Sequence, residues 1–199
     1  MSLPKRYGII LFKGFEPLDA FGPLGILKHL PDATLSVIAK TLEPVSSSVD
    51  GVFEHKTVPT HTFDSPPELD VLIIPGGRGT RVDLVEEKEY IKKAYPRLQY
   101  VFTVCTGSVL LAQTGLLDGK RATSNILAWP WVTSHKNVEW VRKARWVVDG
   151  NIYTTSGVTA GMDGILGFIS DIHGIEEAQR IAKGLEYVWA NDPANDPFA

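Results

Sequence analysis

The chain's only cysteine sits in Val101-Phe102-Thr103-Val104-Cys105-Thr106-Gly107-Ser108, where an apolar run meets a turn of small residues and then a helical pattern. Strand, turn and helix in that order form a nucleophile elbow, which lifts its nucleophile above the strand ends. The backbone N–H groups that follow point back at any charge the sulfur carries or creates. A helix starting at Thr106 would also set its positive end beside the sulfur and favour thiolate. Cys105 is therefore expected to be reactive and acid-shifted, in contrast to a lone cysteine that packs as a small hydrophobe.

Two further segments belong to the same chemistry. Pro75-Gly76-Gly77 closes another apolar run, and adjacent glycines leave backbone N–H groups open to a ligand, so Gly77 and Thr106 are candidate oxyanion donors. A plain tight turn is the alternative for that segment. Glu16-Pro17-Leu18-Asp19 follows the first apolar run and brings a carboxylate to the same rim. A thiol that adds to an unsaturated carbon needs a proton donor and later a water activator, and one carboxyl group can do both. Asp19 is the candidate, with a helix N-cap as its alternative role and Glu16 as the rival carboxylate. The five histidines show no metal-ligand spacing, and none neighbours Cys105; a Cys-His-Glu triad would have to recruit a distant one, His173 near Glu176 and Glu177 being the best placed. Trp129 and Trp131, around Pro130, and Val158 are candidate pocket walls.

These residues need a scaffold of buried strands. Tyr7 to Phe12, Val71 to Ile74 and Tyr100 to Val104 are continuous apolar runs too short for helices, suited to strands buried on both faces. Helical patterns lie between and after them: one following Gly22-Pro23, then Asp83 to Ala94, Thr106 to Leu117, about Ala160 to His173, and Glu176 to Trp189. Trp146-Val147-Val148 and Ile152-Tyr153-Thr154, joined through Asp149-Gly150, read as a hairpin. The stretch from Thr41 to Asp70 carries repeated turn signals and reads as a strand, a short hairpin and loops. Alternating strand and helix predict an α/β fold with a parallel sheet, a single domain over residues 1–199.

At 199 residues with 44% hydrophobic and 22% charged residues, the composition is that of a globular chain and excludes disordered, collagen-like and coiled-coil classes. A net charge of −3 offers no basic field for nucleic acid. One cysteine, no apolar run of membrane-spanning length and a polar start at Met1 to Arg6 predict a cytosolic protein without a leader or membrane partner.

Taken in order, Leu18-Asp19-x-x-Gly22-Pro23, Ile74-Pro75-Gly76-Gly77, Val104-Cys105-Thr106-Gly107-Ser108, Gly115 to Thr123 and Ser156 to Asp163 resemble the ThiJ/PfpI superfamily, glutamine amidotransferase-like, over nearly the whole chain. Within it the likeness is to the isocyanide hydratase branch and to the ligand domains of related transcription regulators. The tail, with Glu186-Tyr187 and its Asp-Pro and Pro-Phe elements, is similar to that branch, and no helix-turn-helix follows. The resemblance implies a flavodoxin-like three-layer sandwich, a homodimer and a cysteine nucleophile needing neither metal nor organic cofactor. It puts the carboxylate facing the sulfur on Asp19 and implies a small-molecule substrate, an isocyanide hydrated through a thioimidate to an N-substituted formamide. Thr106 would hydrogen-bond near the sulfur or the attacking water, with Gly76, Gly77 and Val158 around the substrate. A glyoxalase-type enzyme on small dicarbonyls, a redox-responsive cysteine protein with a chaperone-like role and a stand-alone binding domain are the alternatives. Thr106 stands where protease-like and glyoxalase-like members often have His, and Asn125 where many members have another.

Overall fold

The computed structural model describes residues 2–199. Along the chain lie β1 (Arg6–Ile10), α1 (Pro17–Leu27), β2 (Thr34–Ala39), β3 (Val45–Ser46), β4 (Lys56–Thr57), β5 (His61–Thr62), β6 (Val71–Ile74) and α2 (Val85–Ala94). They are followed by β7 (Tyr100–Thr103), α3 (Gly107–Ala112), β8 (Arg121–Ala122), α4 (Trp129–Val132), β9 (Glu139–Trp140), β10 (Trp146–Asp149), β11 (Ile152–Thr155), α5 (Ala160–His173) and α6 (Ile175–Gly184).

Seven strands form one sheet in the order β10-β11-β7-β6-β1-β2-β5. Every neighbouring pair is parallel except β10 and β11, the hairpin turned at Gly150, whose φ of 62° suits glycine. The central strands are buried on both faces, which explains their unbroken apolar runs: Val71 to Ile74 are wholly buried, as are Val101 and Phe102. Helices α1 and α6 pack on α5, and α2 packs on α3, so the sheet is the middle of three layers, a flavodoxin-like α/β sandwich. The same core takes in Phe168 of α5 and Leu110 of α3.

Several boundaries differ from the sequence-based expectation. Helix α1 begins at Pro17, not after Gly22-Pro23, so Pro23 lies inside it. Glu16 is its N-cap, accepting the Leu18 N–H at 3.3 Å, and Asp19 is not. Helix α3 stops at Ala112, well short of Leu117, because the chain then tightens through Thr114, whose hydroxyl donates to Leu111 O at 2.6 Å, into Gly115 at φ 82°. Helix α6 stops at Gly184, and Tyr187 and Trp189 fold back against the core.

Strand order determines what stands together. From β1 the chain steps one way to β2 and the other way to β6, β7 and β11, so a topological switch lies between β1 and β6. Asp19 follows β1, Gly76 and Gly77 follow β6, Cys105 follows β7 and Ser156 follows β11: four adjacent parallel strands deliver these residues to one rim.

Candidate active site

Cys105 has φ of 56°, in the left-handed region that costs a residue with a Cβ about 1–2 kcal/mol. Its surroundings pin it there from both sides. The Cys105 N–H donates to Ser156 O at 3.0 Å, and its carbonyl accepts the hydroxyls of Ser124 at 2.9 Å and Ser108 at 3.0 Å. Strain held by such over-determination is characteristic of a functional turn. The residue is 6% exposed.

Asp19 is the carboxylate beside the sulfur. It is 0% exposed; its Oδ2 accepts the Gly76 N–H at 2.9 Å, while Oδ1 has no protein partner although it is buried. Burial pushes its carboxyl up to about 8; the Gly76 N–H lowers it, the charge of Glu16 raises it, and a hydrogen bond with Cys105 lowers it. Gly76 makes this packing possible: a Cβ there would fall 2.6 Å from Thr106 N and 2.8 Å from Asp19 Oδ2.

The thiol is not shifted in the expected direction. Burial, and after it the negative charge of Asp19, push Cys105 up; the Thr106 N–H, the Asn125 side chain and the Thr106 hydroxyl oppose this with smaller effect. The six residues of α3 give only a short dipole, so single hydrogen bonds, not a helix end, are what favour charge on sulfur. Burial thus favours the protonated forms of both Cys105 and Asp19.

Gly77 is also not the free donor expected. Its N–H donates to Thr106 Oγ1 at 3.1 Å, and the buried Thr80 hydroxyl lies 2.9 Å from that oxygen and 2.7 Å from Gly77 O. Gly77 therefore orients Thr106, and the donors left facing the sulfur are the Thr106 N–H and the Asn125 amide. The Gly77 conformation, φ 128°, is one that only glycine adopts readily, and a Cβ would strike Gly14 O at 2.4 Å.

Other expected residues lie elsewhere. Val158 is half-buried and packs on the core as the chain turns into α5; its neighbour Gly157 lines the open cavity beside Asn125. Trp129 and Trp131 pack on a satellite cluster of Val109, Ala128 and Val132, with the Arg81 guanidinium 3.9 Å above Trp131. His173 ends α5, where burial lowers its pKa and the nearby Glu177 raises it; it does not join Cys105, so no Cys-His-Glu triad forms. Among the described residues no group of three or more His, Cys, Asp or Glu could hold a metal, and no helix is long and apolar enough to cross a membrane. Ser124, Ser156 and Thr80 were not legible as site residues. The signal that finds Ser156 is strand order, since it ends the strand beside β7.

The chain is similar to known proteins in sequence and in fold. The DJ-1/PfpI family profile matches residues 5–170. Isonitrile hydratase of Pseudomonas putida is 37% identical over 188 residues, covering 93% of this chain and 79% of the relative. The deglycase PfpI of Pyrococcus furiosus is 36% identical over 94 residues, covering 45% of this chain and 55% of that protein. A crystal structure of a ThiJ/PfpI family protein from Pseudomonas syringae superposes with a TM-score of 0.81 at 31% identity, covering 92% of this chain and 75% of the other.

Proposed function

The chain belongs to the DJ-1/PfpI family, and from that premise we propose that it is a cysteine-dependent hydratase converting an isocyanide to an N-substituted formamide, with Cys105 as nucleophile and Asp19 as proton carrier. The observation that carries the proposal is Asp19 Oδ1, a buried carboxylate oxygen with no protein partner, on a residue whose charge acts on the only cysteine. A structural aspartate would be satisfied on both oxygens; this one keeps an oxygen for substrate or water. The similarity to isonitrile hydratase supports the choice of substrate.

The chemistry balances with these two residues and one water. The thiol proton passes to Asp19 as sulfur bonds to the terminal isocyanide carbon. Asp19 then gives that proton to the same carbon, leaving a thioimidate. In the second half Asp19 takes a proton from water as the oxygen adds to the thioimidate carbon, and passes it to nitrogen. The Thr106 N–H and the Asn125 amide stabilise charge on the added oxygen. The carbon–sulfur bond breaks, the hydroxyl proton returns to sulfur through Asp19, and the formamide leaves. Because the pair must shed its first proton to react, kcat/KM should rise through about pH 8.

The test is formamide formation from an aliphatic isocyanide, followed by NMR, with wild type, Cys105→Ala and Asp19→Asn. Product from wild type alone is the expected result, with Asp19→Asn keeping an alkylatable thiol. Turnover by Cys105→Ala would overturn the mechanism. A second reading, addition of Cys105 to a small dicarbonyl, draws on the partial similarity to a deglycase and predicts methylglyoxal loss in the same variant set. A redox role predicts instead a stable mass gain at Cys105 after mild peroxide, without turnover. We further propose a single-domain cytoplasmic homodimer, for which sedimentation velocity should give twice the chain mass.

A further inference from the structure

An open cavity of about 460 Å³ lies beside the catalytic turn, lined by Asn125, Ile126, Leu127, Ser156, Gly157 and Phe198. Two of these residues adjoin Cys105: Ser156 O accepts the Cys105 N–H at 3.0 Å, and Asn125 directly follows Ser124, whose hydroxyl donates to Cys105 O at 2.9 Å. The polar side of the cavity therefore adjoins the turn that carries Cys105. The other side is apolar, with Ile126 half-buried, Leu127 94% exposed and Phe198 71% exposed.

Phe198 is not loose at that mouth. Asp196, two residues earlier, is buried; it accepts the Ser156 hydroxyl on Oδ2 and the Phe198 N–H on Oδ1 at 3.1 Å, with Arg145 Nη1 3.8 Å from Oδ1. Upstream, Pro193 O accepts the Arg145 N–H at 2.7 Å, and Pro197 fixes the backbone dihedral just before the ring. Thus a strap from Pro193 to Phe198 is fastened to the residue whose carbonyl holds Cys105 in place. The C-terminal Asp-Pro and Pro-Phe elements, unused by the catalytic pair, serve this fastening.

We infer that Phe198 is a specificity-determining residue, the apolar wall of the substrate pocket, and that it favours substrates that carry a bulky apolar substituent next to the reacting group. The inference rests on the hydratase reading only for the identity of the reacting group. An aromatic that lines the same cavity as Ile126 and Leu127 gains contact with a cyclohexyl group and little with a methyl group.

The experiment compares wild type with Phe198→Ala in two readouts. One is the ratio of kcat/KM for cyclohexyl isocyanide over methyl isocyanide. The other is the ratio of Cys105 alkylation rates by N-cyclohexylmaleimide over N-methylmaleimide, which reports one site because the chain has one cysteine. Both ratios should fall on the order of five-fold, somewhat below the ten-fold a fully enclosed methylene contact is worth, since Phe198 is partly open to water. A fall in the maleimide ratio with no isocyanide turnover by wild type keeps the wall and sinks the hydratase reading. An unchanged maleimide ratio overturns the wall whatever the turnover, and so does a thiol unreactive to both maleimides, because the cavity would then not lead to sulfur.

Discussion

Asp19 costs the fold stability in exchange for its position. Its carboxyl is pushed up to about 8 by burial against an ordinary value of 3.8, so the folded state prefers the protonated form. A raised acid is harmless below its unfolded value and destabilises progressively as pH rises from there through the folded value. Asp19→Asn, which keeps the shape and removes the ionisation, should therefore be more stable than wild type at pH 8 by at least about 2 kcal/mol, with the gain gone by about pH 4. Urea melts of both proteins across that range measure it. Equal stability at every pH would mean the carboxylate is solvated in solution, and with that the argument for a proton held beside Cys105 would fail. With the expected result, Asp19→Asn combines a gain in stability with a loss of turnover, a signature that simple misfolding cannot give.

Among the elements, the parallel strands are aligned at their entry end by Asp70, just before β6. Its Oδ2 accepts the N–H groups of Lys5 and Arg6, each at 2.9 Å, and Arg6 Nη2 reaches Oδ1 at 2.7 Å, with Gln99, just before β7, at 3.3 Å. Burial alone would raise the carboxyl, but the Arg6 side chain, the two N–H groups and the Arg6 charge bring it down from 3.8 to about 2. A depressed acid stabilises fully above its unfolded value and loses that contribution as pH falls through the folded one. Asp70→Asn should cost roughly 2 kcal/mol at neutral pH, the gap from wild type closing between about pH 4 and pH 2; a pH-independent gap would assign the loss to packing instead. How far the elements were legible follows from the same physics. The runs Val71 to Ile74 and Tyr100 to Thr103 announced buried parallel strands because both of their faces are apolar, and Cys105, Asp19 and Gly76 stand where the strand ends put them. Strand neighbours in a parallel sheet are set by crossover packing, not by local sequence, so Ser156 could not be joined to Cys105 from the chain alone. Nor could the engagement of the Gly77 N–H by Thr106, a contact across 29 positions.

For the molecule as a whole, the second half is tied together by one buried cation. Arg145, just before β10, donates through Nε and Nη2 to Asp163 Oδ2 at 2.8 and 2.7 Å, and through Nη2 to Thr159 Oγ1 at 3.0 Å. Asp163, in the first turn of α5, takes the Tyr187 hydroxyl and the Ala190 N–H on Oδ1 at 2.9 and 3.0 Å, and Asp196 of the strap faces the same guanidinium. Sheet edge, helix and C-terminal strap thus meet at a group that bears charge at any physiological pH. Removing it leaves two buried carboxylates, Asp163 and Asp196, without their counter-charge, and breaking a buried pair from one side costs about 3–5 kcal/mol. Arg145→Met should therefore lower the unfolding free energy, read from urea melts, by an amount within that range. If the loss comes from stranded charge and not from the missing side-chain volume, adding Asp163→Asn to Arg145→Met should recover part of it, a coupling that a double-mutant cycle reads directly. A loss below about 1 kcal/mol, or a double variant no better than the single one, would show that the cluster is solvated. The position of Ser156 would then have to be held by the sheet alone.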